Sequence, residues 1–432
     1  MIELVYRASA MSSRSLRVHP DYINKVKTAA KHRYPRQKDL AEDLGFSLAT
    51  VNNFLNGKPV DNLNFQDICS KLDADWHEIA EWNDDSDEQE SLQDQERSIP
   101  ELYVERVPYE SEACEEIFKP GALVRIKAPQ QMGKTSFLSR LLSKTREQDC
   151  QTLTLSFELA DSTVFTDLHQ FSKWFCASIA QNLGLPNQLD EYWDDIFGCN
   201  SNTTTYFEDY LLPKIANPVV LALDEVDLVF EHPNIADDFC RLLRGWYDKA
   251  RRGDRNSTLW RQLRLVVVHS TEVYSALDIN HSPLANVGRV IELPELTPDE
   301  VLELAQRHRL DWNATQVQQL MAMVGGHPYL VQLALDYIQR QEVTLEDFLK
   351  AAPTEAGIYR NHLRRHLSKL QHYSKLMDSF RKVVNANSWV TIESTQLFKL
   401  HSMGLVKLQG NAVMPRCDLY CQYFRERLGL DE

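Results

Sequence analysis

The stretch Ala128-Pro-Gln-Gln-Met-Gly133-Lys134-Thr135-Ser136 decides how this chain folds. Ahead of it, Ala122-Leu-Val-Arg-Ile126 reads as a buried strand, and behind it Ser136-Phe-Leu-Ser-Arg-Leu-Leu142 repeats its apolar residues at helical spacing. Strand, loop and helix form the setting of a phosphate-binding loop. There, Lys134 reaches the β- and γ-phosphates of ATP and Thr135 gives its hydroxyl to Mg²⁺. The backbone of Ala128, Pro129, Gln130, Gln131, Met132, Gly133 and Ser136 encloses the phosphates at the helix start. Ala128 stands five positions before Gly133, where the standard pattern has glycine. A methyl is tolerated there if φ is negative, because only the left-handed conformation penalises a Cβ.

The other half of such a site is Val219-Val-Leu-Ala-Leu-Asp224-Glu225, an apolar run ending in two carboxylates. A buried parallel strand delivers charges in this way to the C-terminal edge of its sheet. Asp224 would hold Mg²⁺ through water, and Glu225 would polarise the attacking water as the catalytic base; the plain alternative is a pair of strand-end acids. Strands near Val124, Thr152, Val219, Leu265 and Val290 alternate with helical segments, which predicts an α/β fold with a parallel sheet covered by helices. By analogy of fold, a strand inserts between the loop strand and the acidic strand, as in P-loop ATPases with a catalytic glutamate. At the end of Leu263–His269, Ser270 or Thr271 is placed to read the γ-phosphate, or equally to cap a following helix with Glu272 in its first turn. Arg241, Arg244, Arg251 and Arg252 are candidate arginine fingers toward a neighbouring subunit, although Arg241 and Arg244 share a helical face that would also let them pair with acids there.

Composition places this core in a larger molecule. The 432 residues allow two to four domains, no apolar stretch approaches a membrane span, and a cytoplasmic location without a membrane partner is expected. Eight scattered cysteines form neither a dense disulfide framework nor paired zinc knuckles. The formal charge of −15 excludes a chain that coats nucleic acid all over, yet residues 1–60 carry ten Lys or Arg against five Asp or Glu. Residues 83–98 carry seven acids and one Arg with almost nothing to bury, and read as a flexible linker.

Ahead of that linker, 15–82 reads as a helix-turn-helix domain. Gln37–Leu44 supplies one helix with Gly45 as its stop, Ser47 caps a second, and Gly57 closes it. In that unit Ser47, Thr50, Asn52 and Asn53 point toward base edges, and Arg33, Arg36, Lys38 and Lys58 toward phosphates. Residues 20–60 are thus a candidate surface for double-stranded DNA, with a protein-binding module of the same shape as the alternative.

Beyond the ATPase core, assigned to 99–295, three helical patterns over 296–352 predict a lid. Gly325-Gly326-His327-Pro328 ends one of these helices and opens the next, which lets His327 sense the phosphates or serve as a plain turn. From 353 to 432, four helical or short apolar segments precede a strand, turn and strand around Gln409-Gly410-Asn411, the pattern of a winged helix. Its basic residues favour packing or a partner protein over DNA.

From about 99 to 430 the sequence resembles the bacterial, largely cyanobacterial, AAA-like domain family. The resemblance rests on Tyr103–Arg106, Ile126–Pro129, Gln131–Thr135, Leu221–Asp227, Gly325–Leu330, Ser402–Val406 and Pro415–Tyr420. The 20–82 segment resembles the helix-turn-helix at the N-terminus of proteins associated with von Willebrand A and MoxR-type systems. The resemblance implies a P-loop signalling ATPase with Lys134 and Thr135 on phosphate and Mg²⁺, Asp224 and Glu225 as the acidic pair, and Ala128 as an ordinary variant. Gln130 stands where the family leads one to expect arginine, which removes a phosphate contact and slows turnover. The expectation is therefore an ATP-binding, slowly hydrolysing switch that controls DNA binding, a partner protein or self-association. Its rival is a nucleotide-independent scaffold with a protein-binding N-terminal domain.

Overall fold

The structure, a computed structural model, describes residues 15–19, 22–34, 36–44, 46, 48–58, 60–72, 79, 102–253, 256–271, 284 and 286–428. The chain divides into two units, Met1–Ser98 and Ile99–Glu432. The proposed acidic linker, Ser47 and Glu272 lie outside the described residues.

In the first unit, α1 (Ile23–Arg33), α2 (Gln37–Leu44), α3 (Leu48–Leu55) and α4 (Asn62–Lys71) surround a small core, closed by the antiparallel pair β1 (Ser15–Leu16) and β2 (Val60–Asp61). Leu40 and Ala41 from α2 meet Val51 and Phe54 from α3 in that core, and the Phe54 ring packs edge-on against Phe65 of α4. Two short helices follow one another with Phe46 between them, as the helix-turn-helix reading predicts, while its expected stop Gly45, like Ser47, lies outside the described residues.

The second unit is built on a five-stranded sheet. Its strands are β3 (Leu123–Ala128), β4 (Gln151–Ser156), β5 (Val219–Asp224), β6 (Leu263–Ser270) and β7 (Arg289–Glu292), in the order β4-β5-β6-β3-β7 with every pairing parallel. All residues of β5 and β6 are buried, as strands covered on both faces must be. Alternate residues enter different cores: Leu221, Leu223, Leu265 and Val267 face one side, and Val220, Ala222, Val266 and Val268 the other. On the first side α7 (Leu168–Asn182) and α8 (Pro233–Lys249) contribute an aromatic cluster that includes Phe171, Phe175, Phe239 and Trp246. On the second, α5 (Tyr109–Ile117) and α6 (Lys134–Arg146) bury Ala113, Ile117, Phe137, Leu138 and Leu141.

Four helices follow: α9 (Pro298–Arg307), α10 (Ala314–Val324), α11 (Pro328–Gln339) and α12 (Leu345–Ala351). Reciprocal capping boxes, Thr297 with Glu300 and Asn313 with Gln316, start α9 and α10. The remainder comprises α13 (Arg360–Gln371), α14 (Ser374–Asn385), β8 (Val390–Thr391), α15 (Ser394–Ser402), β9 (Val406–Gln409), β10 (Ala412–Pro415) and α16 (Asp418–Leu428). Its strands form an antiparallel sheet in the order β8-β10-β9. Residues from α9 through α16 share one hydrophobic cluster, so the segments on either side of residue 352 pack together. Among the described residues, no helix is long and apolar enough to cross a membrane. None of the eight cysteines is in a disulfide.

The second glycine of Gly325-Gly326 is required by close approach. The Leu296 amide donates to the Gly326 carbonyl at 2.7 Å, and a Cβ on Gly326 would come within 2.0 Å of the Leu296 carbonyl oxygen. We expect Gly326→Ala to destabilise the protein by about 2 kcal/mol or more in chemical denaturation, because backbone has to give way. A loss below about 0.5 kcal/mol would show that the 296–326 contact is slack.

Candidate nucleotide-binding site

The site grows from the C-terminal edge of the sheet. Because β6 lies between β3 and β5, Ala128, Ser270 and Asp224 finish three adjacent strands at one edge, with Ser156 of β4 beside Asp224. The chain leaves β3 at Ala128 and enters α6 at Lys134, with Gly133 in the left-handed conformation at φ 81°. The left-handed non-glycine residue of this loop is Gln131, at φ 61°, and Ala128 is not left-handed. A methyl at 128 therefore carries no Cβ penalty, and the strain sits three residues further on.

Lys134 folds back on the loop, its ammonium donating to the carbonyls of Ala128 at 3.3 Å and Pro129 at 2.9 Å. Across the sheet edge Asp224 is buried, and burial raises its carboxyl above the usual range. The Glu225 amide, the Thr135 hydroxyl and the Lys134 charge oppose that rise. Glu225 is itself left-handed at φ 57°. Its carboxylate accepts a hydrogen bond from the Ser156 hydroxyl at 2.8 Å, while the Val226 amide ties the following turn to Val268 at 3.0 Å. Burial raises Glu225 as well, helped by the charges of Glu158, Asp224 and Asp227 and opposed by Ser156.

Ser270 pairs with Ala128 in the ladder and is almost fully buried, and its amide donates to Asp227 at 3.0 Å. Next to it, the Thr271 amide donates to the Ala128 carbonyl at 3.1 Å, and its hydroxyl reaches the Ser402 carbonyl at the end of α15 at 2.7 Å. His327 is the N-cap residue of α11 and is buried, with its ring centroid 5.6 Å from that of His362.

Side chains that sequence reasoning left out also reach the loop. His362 Nδ1 lies 2.8 Å from Oε1 of Gln131, and the Lys369 ammonium donates to Oε1 of Gln130 at 3.2 Å. Arg106, also buried, holds its guanidinium within 3.3 Å of where a Cβ on Gly133 would stand, and donates to the Pro294 carbonyl at 3.1 Å. The sequence signal for Ser156 was its place at a strand end beside β5; for His362 and Lys369 there was only their shared face at i, i+7. The candidate fingers Arg241 and Arg244 pair with Asp237 at 2.6 Å and Asp248 at 3.7 Å on their own helix, and Arg251 donates to the Gly121 carbonyl at 2.8 Å.

The residues present fit a nucleotide with a divalent cation. A helix start, a lysine, a hydroxyl and two carboxylates converge on one edge, and Gly133 leaves room where a side chain would crowd Arg106. In the first unit, Arg36, Lys38, Asn52 and Lys58 are exposed, and Thr50 and Asn53 are half-buried above the Val51 and Phe54 anchors. Arg33, exposed, donates to the Lys71 carbonyl at 2.9 Å, and the side-chain oxygen of Asn52 accepts from Asn56 at 2.8 Å.

A parallel sheet of this order, with a lysine-threonine helix start facing an acidic strand end, defines an AAA+-type ATPase domain. The chain belongs to the AAA-like domain family, whose model matches residues 92–426, and residues 27–85 match the Cro/C1-type helix-turn-helix DNA-binding domain. No curated protein matches the chain. Among solved structures, the Walker-type ATPase of Pyrococcus abyssi superposes with a TM-score of 0.54 at 14% identity, covering 75% of this chain and 96% of that one. The ORC2 protein of Aeropyrum pernix gives 0.45 at 14% identity over 76% and 96%, and Cdc6p of Pyrobaculum aerophilum 0.38 at 14% over 77% and 99%. At such identity the first likeness speaks to the fold alone.

Buried neutral histidines give the site a pH signature. Burial holds His362 and His269 down at about 3, and it keeps His327 and His366 well below 6.5, with neighbouring cations adding to the effect. The unfolded chain takes up these protons below pH 6.5 and the folded chain does not, so stability is full above 6.5 and falls as pH drops toward 3. For His362 the loss at pH 5 is on the order of 2 kcal/mol. Melting temperature should decline steadily between pH 7 and 5, with a shallower slope in His362→Asn; a flat profile would mean that these rings are hydrated.

Proposed function

We propose that this protein is an ATP-operated switch that slowly hydrolyses ATP to ADP and phosphate and thereby controls binding through its terminal helical domains. One observation carries the reading: β6 lies between β3 and β5, so the start of α6 and the acidic end of β5 share one sheet edge, where the Thr135 hydroxyl and the Lys134 charge both pull the Asp224 carboxyl down against its burial. Lys134 and the 128–136 loop hold the phosphates, Thr135 and Asp224 hold the Mg²⁺, and Glu225 accepts a proton from water. Ser270 and His327 sense the phosphate end from two sides. Bound Mg²⁺ would neutralise charge on the phosphates.

Slow turnover follows from two features. Gln130 brings no charge to the loop, and the Ser156 hydrogen bond on one carboxylate oxygen of Glu225 makes that carboxylate a weaker base. In the N-terminal unit, Asn52 and its neighbours on α3 face the bases of a DNA duplex, with Arg36, Lys38 and Lys58 on phosphates. The C-terminal segment acts as a winged helix, β9 and β10 forming the wing, and serves packing or a partner protein.

Calorimetric titration with Mg-ATP should show binding by the native protein and at least a hundredfold loss in Lys134→Ala; equal affinity in the two would sink the nucleotide reading. Glu225→Gln should bind ATP yet release phosphate at least a hundredfold more slowly, and ordinary release by that variant would remove Glu225 from the chemistry. In fluorescence anisotropy on a labelled duplex, affinity should fall with salt, and Arg36→Ala should lower the slope by about one. A protein that binds no duplex in either nucleotide state points instead to a partner protein.

A further inference from the structure

The tip of the phosphate loop is held from outside the sheet. Three consecutive loop residues meet the C-terminal segment: Pro129 packs at Gly404, Gln130 accepts from Lys369, and Gln131 pairs with His362. His362 and Lys369 stand seven positions apart on α13, hence on one face. His362 is buried, and on its far side Nε2 lies 2.7 Å from the Tyr420 hydroxyl of α16. Because the Gln131 oxygen only accepts, Nδ1 of the neutral ring carries the proton and Nε2 accepts from Tyr420.

Gln131 is also the residue in the strained backbone conformation. Glycine would occupy φ 61° without a Cβ penalty, whereas a glutamine there is disfavoured. What glutamine supplies and glycine lacks is the side-chain amide that His362 holds. The strained position and the contact between segments therefore belong to one residue, 231 positions in sequence from its partner.

We propose that Gln131, His362 and Tyr420 form a latch between the phosphate loop and the C-terminal segment, with Lys369 on Gln130 as its second arm, and that nucleotide leaves only when this latch opens. The proposal rests on the nucleotide reading above for its ligand, but the latch itself is a contact of the protein with itself. All three residues are positioning residues: they set where the loop amides stand and how firmly α13 is held. By reciprocity, whatever strengthens nucleotide binding to the latched loop strengthens docking of α13 by the same factor.

Gln131→Gly tests this directly, since it removes the side chain while leaving the backbone at ease, so the variant folds. Hydrogen exchange on the nucleotide-free protein should show faster exchange across residues 128–135 and 360–371 in Gln131→Gly than in the native chain. Release of a fluorescent ADP analogue, chased with excess ADP, should accelerate about fivefold or more. Tyr420→Phe should produce part of both effects, and adding it to Gln131→Gly should change nothing further, because one relay can be broken only once. His362→Gln, which restores an amide donor facing Gln131, should release ADP more slowly than His362→Ala.

Native exchange and native ADP release in Gln131→Gly, or full additivity with Tyr420→Phe, would overturn the latch. If the native protein binds no nucleotide at all, the nucleotide reading fails, and the exchange comparison still decides whether the latch exists.

Discussion

The parallel pairing of β3, β6 and β5 is the constraint on which the rest depends. Lys134 and Asp224 are separated by 90 positions in the chain, and nothing local brings them together. They meet because Ala128 pairs with Ser270, and Leu223 with Val267, in strands that all run the same way. A parallel sheet puts every strand's C-terminal end at one edge, so charges at strand ends collect there without breaking the buried core behind them. Antiparallel placement of β5 would have sent Asp224 to the opposite edge.

On that frame, two of the five left-handed non-glycine residues among those described lie in the site. Gln131 and Glu225 adopt left-handed conformations, and each is held by a hydrogen bond to another segment, His362 in one case and Ser156 in the other. Strain of this kind persists where surrounding contacts over-determine the geometry. Here the contacts come from two directions: Ser156 from within the sheet, His362 from the helical cap. The cap brings three buried, neutral histidines and Arg416 close to the loop, which makes the cap more sensitive to protonation than a purely apolar layer would be.

Most of the core could be read from local pattern. Fully apolar runs gave β5 and β6, since a strand covered on both faces has no polar alternation to show. Glycine and proline punctuation placed α10 and α11 on either side of Gly325–Pro328, with the ends shifting by a residue or two. Less was legible where amphipathic signals are mixed. The sequence pattern does not mark helices α5, α7 and α16, although α7 buries Phe171, Phe175 and Ile179 at helical intervals. Ser156, His362 and Lys369 carried no motif, and Arg106 only its place in the Tyr103–Arg106 string, because each approaches the loop through packing of elements that are distant in sequence.

By itself the sequence determined the class of sheet, the loop that opens α6, the acidic end of β5 and the helix-turn-helix punctuation around Phe46. Those features depend on residue types at short spacing, where the backbone's own geometry fixes what each can do. Tertiary structure alone decided which loop residue bears the strain, what holds Glu225, and that the C-terminal helices sit on the phosphate loop. Such contacts join residues up to 239 positions apart, and their register is set by how whole layers pack, which no local period records.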